Sequence, residues 1–158
     1  YQTPVTELVR ANKLADPDRI RIGFQLVVPA TPWLCPVQGP RRFVDTWGAP
    51  RDDGRRHLGT DVFAARGTPV VASVAGTVEH AAGRRAGLAY YLTGEDGNTY
   101  YGAHLDSLTA VGRIERGGVL GAVGTTGNAA RTAPHLHFEL KPDGGAPVNP
   151  FFTLARWC

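Results

Sequence analysis

The apolar residues near the start of the chain recur at the spacing of a helix. Val5, Leu8 and Val9 share one helical face. The Thr3-Pro4 pair ahead of them is typical of an N-cap followed by the first helical position. The pattern predicts one short helix that ends near Asn12.

After a predicted turn at Asp16-Pro17-Asp18, the period of the pattern changes to two. Apolar side chains occupy every second position from Ile20 to Val28, which predicts a strand. The segment from Pro29 to Pro40 contains four prolines, which predict a stiff linker over residues 30–40. A helix and strand of this length are too small to bury a core by themselves.

From Arg41 onward, short apolar segments are separated by glycine, a pattern typical of a β-sheet with many turns. Asp96-Gly97-Asn98 lies between two tyrosine-bearing segments and predicts a hairpin. No segment of this region has sustained helical periodicity, so it is predicted to be all β. The predicted strands are Arg42–Asp45, Asp61–Ala64, Pro69–Ala72, Gly76–Ala81, Ala89–Thr93, Thr99–His104, Val119–Val123 and Leu136–Leu140.

Composition and charge narrow the class of protein. The chain of 158 residues is 42% hydrophobic and 20% charged, which excludes intrinsic disorder. No segment approaches the roughly eighteen consecutive apolar residues of a membrane span. The net charge of +3 is spread over isolated basic pairs such as Arg41-Arg42, which argues against nucleic-acid binding. A mildly basic surface suits an anionic polymer.

The chain has two cysteines, Cys35 and Cys158, and a disulfide between them would suit an exported domain. The alternatives are two free thiols, or Cys35 as a metal ligand. Closing so long a loop stabilises a fold by roughly 4–5 kcal/mol in the chain-entropy account. Because the chain opens at Tyr1, we expect a processed or truncated form.

Two motifs have the spacing of a metal site. His57 and Asp61 are four residues apart, and in extended chain Gly59 between them leaves room for an ion. His135 and His137 share one face of a predicted strand. Imidazoles and a carboxylate are a natural ligand set for zinc. Either motif alone is common without a metal, so their joint occurrence carries the prediction. His80 matches no such pattern.

These segments resemble the lysostaphin/LytM-type zinc metallopeptidases, which cut peptide bridges in bacterial peptidoglycan. The likeness runs from about Val37 to Phe152 and implies their mainly β fold, an antiparallel sheet or sandwich of the duplicated hybrid motif type. The matching residues are His57-x-Gly59-x-Asp61, Gly67-Thr68-Pro69-Val70, Ala75-Gly76, Tyr101-Gly102-Ala103-His104-Leu105, Gly121, Val123-Gly124-Thr125-Thr126-Gly127, Pro134-His135-Leu136-His137-Phe138-Glu139 and Val148-Asn149-Pro150.

The resemblance implies one Zn²⁺ per chain, with His57, Asp61 and His137 as its ligands. His104 and His135 would flank the metal as catalytic residues, in roles that the sequence leaves open between them. Glu139 points the same way as His135 and His137 in regular alternation, and we interpret it as a supporting or packing residue. The segment Gly124–Ala133 is expected to form one wall of a substrate groove.

Residues 1–29 resemble the C-terminal half of a LysM module, a small glycan-binding repeat. The matching residues are Thr6-Glu7-Leu8, Asn12, Leu14, Asp16-Pro17, Ile20, Ile22-Gly23-Phe24-Gln25-Leu26 and Val28-Pro29. The predicted organisation is therefore a partial LysM-like segment (1–29), a proline-rich linker (30–40) and a zinc metallopeptidase domain (41–158).

The resemblances together imply a secreted or envelope-located, monomeric zinc endopeptidase that hydrolyses peptide crosslinks or bridges of peptidoglycan. The alternative is a non-hydrolysing or autoinhibited zinc-binding wall module that binds peptidoglycan or activates another hydrolase. In the autoinhibited form, Asn12 or Cys35 would supply an additional ligand. A purely structural zinc site is disfavoured, because such sites rely on cysteine and close all four positions.

Overall fold

The chain divides into two compact units, Tyr1–Pro32 and Trp33–Cys158. The computed structural model describes residues 5–28, 33–51, 54–109 and 111–158. No helix in these described ranges has the length and apolar character needed to cross a bilayer.

The first unit contains the predicted helix but not the predicted strand. Helix α1 spans Val5–Asn12, while Thr3 and Pro4 lie outside the described residues. Residues 20–28 form no β-ladder, because the part of this unit that the structure describes offers no second strand to pair with them. Instead, Asn12 Oδ1 accepts a hydrogen bond from Val27 N and Asn12 Nδ2 donates to Val27 O, both at 2.7 Å. A side-chain amide thus takes the place of a partner strand.

The second unit is built on one antiparallel sheet of nine strands, which confirms the predicted fold class. The order is β1-β2-β9-β6-β5-β4-β7, and β8 pairs with both β3 and β6. The strands are β1 Arg41–Arg42, β2 Thr60–Ala64, β3 Pro69–Val71, β4 Gly76–Gly83, β5 Gly87–Gly94, β6 Thr99–Leu108, β7 Gly112–Ile114, β8 Val119–Val123 and β9 His135–Lys141.

The prediction that residues 41–158 are all β is wrong near the end of the chain. Helix α2 spans Phe151–Trp157, and Asn149 Oδ1 accepts a hydrogen bond from Phe151 N at its start. The helix buries Leu154 completely. Seven residues with one fully buried anchor are too few to produce a periodic signal. Strand β7 lies outside the predicted strands, because Gly112-Arg113-Ile114 contains no alternation of apolar residues.

The hairpin predicted at Asp96-Gly97-Asn98 joins β5 to β6. Gly94 N donates to Asn98 O at 2.8 Å, and Gly97 adopts a φ of +84°, which glycine tolerates. Asp96 Oδ1 accepts from Asn98 N at 3.1 Å. The turn therefore uses the aspartate and glycine in the way that their sequence suggests.

The second half of the predicted linker packs into the sheet unit. Trp33 and Val37 are buried, and the Trp33 ring lies 6.4 Å from that of Tyr100 and 6.0 Å from that of Phe138. The compact unit consequently starts at Trp33 rather than at Arg41. Burying these apolar side chains lowers the free energy of the folded chain, so this segment packs into the unit instead of remaining in solvent. Residues 29–32 lie outside the described part.

Cys35 and Cys158 form a disulfide, with their Cα atoms 5.0 Å apart. The bond joins the segment that precedes the sheet to the end of α2. Cys35 is buried, and its sulfur is engaged in this bond, so it is not a free metal ligand.

Candidate metal centre

The three residues expected to bind a metal lie together. Asp61 on β2 and His137 on β9 are directly opposite each other in the strand register, and His57 lies in the loop before β2. Three atoms form a nearly equilateral triangle. His57 Nε2 is 2.9 Å from His137 Nδ1 and 3.1 Å from Asp61 Oδ1, and the third side, from His137 Nδ1 to Asp61 Oδ1, is 3.0 Å.

The hydrogen bonds of the two imidazoles direct their lone pairs at one point. His57 Nδ1 lies 3.0 Å from the carbonyl oxygen of Thr46, and His137 Nε2 lies 3.1 Å from Glu139 Oε1. When each of these nitrogens donates its proton, His57 Nε2 and His137 Nδ1 are left as acceptors. Two nitrogen lone pairs and a carboxylate oxygen then meet with no proton between them. This donor set fits a cation such as Zn²⁺.

Gly59 makes room for the site, although not in the way the sequence suggested. A Cβ atom at Gly59 would lie 2.4 Å from Phe138 O and 2.8 Å from the His137 ring. The missing side chain therefore accommodates the ring of the candidate ligand His137 on β9 rather than an ion.

Arg51 is a site residue that the sequence analysis missed. Its Nη2 lies 2.7 Å from Asp61 Oδ2, so it takes the carboxylate oxygen that does not face His57 and His137. Burial opposes ionisation of Asp61, but hydrogen bonds from His137, His57 and Arg51 outweigh it and hold the pKa of the carboxyl well below its usual range. Arg51 lies in an arginine-rich loop, and no sequence signal distinguishes it from its neighbours.

Glu139 points to the same side of β9 as His135 and His137, as the alternation predicts, and it contacts the candidate ligand His137. Its carboxylate binds His137 Nε2 and also pairs with Lys141 Nζ at 3.2 Å. Burial opposes the charge of Glu139, but His137 and Lys141 lower the pKa of its carboxyl. For His137, burial opposes protonation, whereas the hydrogen bonds to Asp61 and Glu139 raise the pKa of the imidazole.

His104 and His135 lie beside this cluster. Their ring centroids are 5.0 Å apart, and that of His104 is 6.1 Å from His137. His104 Nδ1 is 3.0 Å from Thr126 O, and His135 Nδ1 is 2.8 Å from Ala133 O. With Nδ1 protonated, each neutral ring keeps Nε2 as an acceptor. Burial, followed by the charge of His135, lowers the pKa of His104 to about 4.

A break in strand regularity brings His104 to this face. Ala103 pairs with His137 and lines the groove, so simple alternation would send His104 to the opposite side. The register between β5 and β6 shifts after Leu88, and His104 adopts a left-handed φ of +68°. A bulge of this kind redirects a side chain. His104 N is held by a 2.9 Å hydrogen bond to Ala86 O.

The five residues line a groove of about 410 Å³. The predicted wall Gly124–Ala133 contributes Asn128, Ala129 and Thr132 to it. Asn128 N donates to Arg85 O at 2.9 Å, which docks the β4–β5 hairpin against this wall. His80 on β4 is exposed and lies outside the lining. The lining also includes Tyr101, Glu139 and four arginines, which are Arg51, Arg55, Arg56 and Arg85.

Two curated proteins are similar to this chain. The L-Ala--D-Glu endopeptidase of Bacillus subtilis is 34% identical over 137 residues, which cover 77% of this chain and 42% of the relative. The DD-carboxypeptidase/endopeptidase Mpg of Neisseria meningitidis is 40% identical over 99 residues, which cover 61% of this chain and 22% of the relative. The chain thus spans less than half the length of either protein.

The fold is also similar to a solved structure, the catalytic domain of the antimicrobial peptidase lysostaphin from Staphylococcus simulans. The TM-score is 0.63 at 28% identity, over 73% of this chain and 92% of that domain. Residues 1–29 match the LysM domain. Residues 55–150, which contain all five of the histidine and aspartate residues of the site, match Peptidase family M23. The chain belongs to peptidase family M23.

Proposed function

We propose that this chain is a zinc-dependent endopeptidase that hydrolyses peptide crosslinks or bridges of bacterial peptidoglycan. The observation that carries the proposal is the convergence of His57 Nε2, Asp61 Oδ1 and His137 Nδ1 in an open groove, beside two further histidines. One similar protein, from Vibrio cholerae, is named as a peptidoglycan DD-endopeptidase and supports the substrate class. The two endopeptidases of Bacillus subtilis and Neisseria meningitidis support the cleavage of peptide bonds.

The three converging residues would hold one Zn²⁺. When bound, Zn²⁺ polarises the scissile carbonyl and lowers the pKa of a coordinated water towards about 7. Thr46 O and Glu139 hold the outer nitrogens of His57 and His137, while Arg51 holds the outer oxygen of Asp61. These contacts orient the ligand atoms before the metal arrives.

His104 and His135 would move the protons of the reaction. Each has its Nδ1 engaged by a backbone carbonyl and keeps Nε2 for the groove. One of these Nε2 atoms accepts a proton from the attacking water while the oxygen of that water bonds to the carbonyl carbon of the scissile peptide. The proton passes to the leaving amine when the C–N bond breaks. A His104 that is neutral at pH 7 suits the role of acceptor.

The organisation of the chain is part of the proposal. A partial LysM-like segment over 1–29 would be followed by a short connection, and the sheet unit would act as the peptidase domain. Such a protein acts as a monomer in the cell wall or periplasm.

Contacts of Asn12 and Cys35 favour an active hydrolase rather than the autoinhibited alternative, in which one of these residues would be an additional metal ligand. The side chain of Asn12 is hydrogen-bonded to Leu8 and Val27 in its own unit, and Cys35 is bonded to Cys158. Both residues considered as additional ligands therefore already have partners.

The test is mass spectrometry of fragments released from purified cell walls. Wild-type protein is compared with His137→Ala and with wild-type protein treated with a zinc chelator. New peptide fragments only with the untreated wild type support the proposal, and their masses identify the bond. Equal fragment patterns in all three samples contradict it.

A further inference from the structure

We propose that Arg51 is a catalytic residue that donates hydrogen bonds to the oxyanion formed during hydrolysis, in addition to holding Asp61. This inference rests on the proposed peptidase function. The two histidines that flank the candidate metal site have their Nδ1 atoms engaged by Thr126 O and Ala133 O, so in this tautomer each Nε2 offers a lone pair rather than a donor. An oxyanion requires donors.

The position of Arg51 meets that requirement. Its Nη2 lies 2.7 Å from Asp61 Oδ2, so only the Asp61 carboxylate separates the guanidinium from the candidate ligand atoms of the site. The side chain is 39% exposed, compared with 11% for Asp61, and it lines the groove. It is therefore anchored at one end and open to a bound peptide.

The chemistry of the group also fits. A guanidinium keeps its charge throughout the working pH range and carries five N–H donors in a planar fork. The contact with Asp61 Oδ2 uses Nη2, which leaves donors on the same fork to face the groove. Asp61 also restrains the guanidinium, so little reorganisation is needed when charge develops on the substrate oxygen.

A merely structural role for Arg51 makes a different prediction. If Arg51 only positioned Asp61, its removal would lower the zinc content, and protein that still holds zinc would lose affinity for an anionic and an uncharged ligand by the same factor. If it donates to the oxyanion, its removal weakens binding of a tetrahedral anion far more than binding of an uncharged peptide. The difference between the two ligands separates the two roles.

The experiment measures binding to zinc-loaded protein, with zinc content determined in each sample. The probes are phosphinate pseudopeptides, which are tetrahedral and anionic at the scissile position, and matched ketomethylene pseudopeptides, which are uncharged at that position. They are built on the L-Ala–D-Glu bond and on a DD-crosslink. The variants are Arg51→Ala and Arg51→Lys, and the control is Arg84→Ala, which removes the same charge from an exposed position outside the groove lining.

We expect Arg51→Ala to weaken phosphinate binding by about 10²- to 10³-fold, the usual effect of losing one oxyanion donor. Ketomethylene binding should change less than about threefold, and Arg84→Ala should change neither. Arg51→Lys keeps the charge and a donor for Asp61 but loses the fork, so it should retain zinc and still lose at least about tenfold in phosphinate binding.

Equal losses for both probes in Arg51→Lys would overturn the proposal, as would unchanged phosphinate binding or the failure of every phosphinate to bind wild-type protein. These measurements do not require turnover. A selective loss of phosphinate binding alongside intact cell walls would therefore sustain the role of Arg51 while contradicting the peptidase function itself.

Discussion

Glu139 Oε1 lies 3.1 Å from His137 Nε2, and this contact decides which nitrogen of His137 faces the metal site. By accepting the Nε2 proton, Glu139 leaves Nδ1 as the nitrogen beside Asp61 Oδ1, 3.0 Å away. This nitrogen shares a proton with Asp61 in the metal-free protein and offers a lone pair to a metal once that proton is lost. A carboxylate that sequence alternation places two residues beyond a ligand thereby sets the tautomer of that ligand.

Removal of the Glu139 carboxylate should weaken zinc binding. Outer contacts of this kind typically contribute 10- to 100-fold to metal affinity, so Glu139→Ala should raise the zinc Kd by about that factor. A competition titration against a chromogenic chelator measures the change. Glu79→Ala, at an exposed position on β4, is the matched control. An unchanged Kd in Glu139→Ala would show that the contact does not orient His137.

A methyl group at Gly59 should displace a ligand. In Gly59→Ala the new Cβ would lie 2.8 Å from the His137 ring and 2.4 Å from the Phe138 backbone oxygen, so the ring must move. We expect zinc bound per chain to fall well below one after dialysis, as measured by atomic emission. Gly83→Ala has no atom within 4 Å of the new Cβ and should bind zinc as the wild type does. Full zinc occupancy in Gly59→Ala would contradict this account of the site.

Zinc binding should weaken in acid. In the metal-free protein, burial opposes protonation of His137, but its hydrogen bonds to Asp61 and Glu139 raise the pKa of the imidazole above its ordinary value. Below that pKa, zinc must displace a proton, so the zinc Kd rises up to tenfold for each unit of pH decrease. Above the pKa, this dependence disappears. Chelator competition between about pH 5.5 and 8 measures the effect, and a Kd that is constant between about pH 5.5 and 6.5 would contradict it.

Loss of the disulfide should destabilise the fold without touching the site. Cys35→Ser with Cys158→Ser removes the bond between the start of the sheet unit and α2. Closure of such a loop contributes roughly 4–5 kcal/mol, so the free energy of unfolding should decrease by about that amount. Urea unfolding measures the decrease. Zinc affinity of the folded variant should remain within about twofold of wild type, and a large loss of affinity would mean that the bond also supports the site.

The sequence predicted those parts of the molecule that depend on local pattern. Seven strands and helix α1 follow from periodicity and turn residues, and β9 alternation places His135, His137 and Glu139 on one face. The strand predicted at Arg42–Asp45 is wrong in its bounds, because only Arg42 of these residues pairs with β2. The strand over Ile20–Val28 was wrong because alternation describes side chains, whereas a strand also needs a backbone partner. Trp33 lies within the predicted linker but is buried. Its burial depends on contacts with residues distant in sequence, such as Phe138, which local pattern does not reveal.

The site also contains residues that local pattern predicts and residues that it does not. The candidate ligands His57, Asp61 and His137 belong to motifs whose spacing in the sequence is typical of a metal site. In contrast, Arg51 reaches Asp61 through a fold that brings a loop over the start of β2, and nothing in the loop marks that arginine. His104 reaches the groove through a bulge and a left-handed backbone. Neither feature leaves a sequence signature.

The most direct test of the account is a zinc titration of metal-free protein with wall digestion as the readout. If His57, Asp61 and His137 form the single catalytic metal site, fragment release should be absent without metal, rise in proportion to added zinc and reach its maximum at one equivalent. The His57→Ala and His137→Ala variants should stay inactive at the same zinc concentration. Fragment release by metal-free protein, or by His137→Ala at one equivalent of zinc, would contradict the central claim.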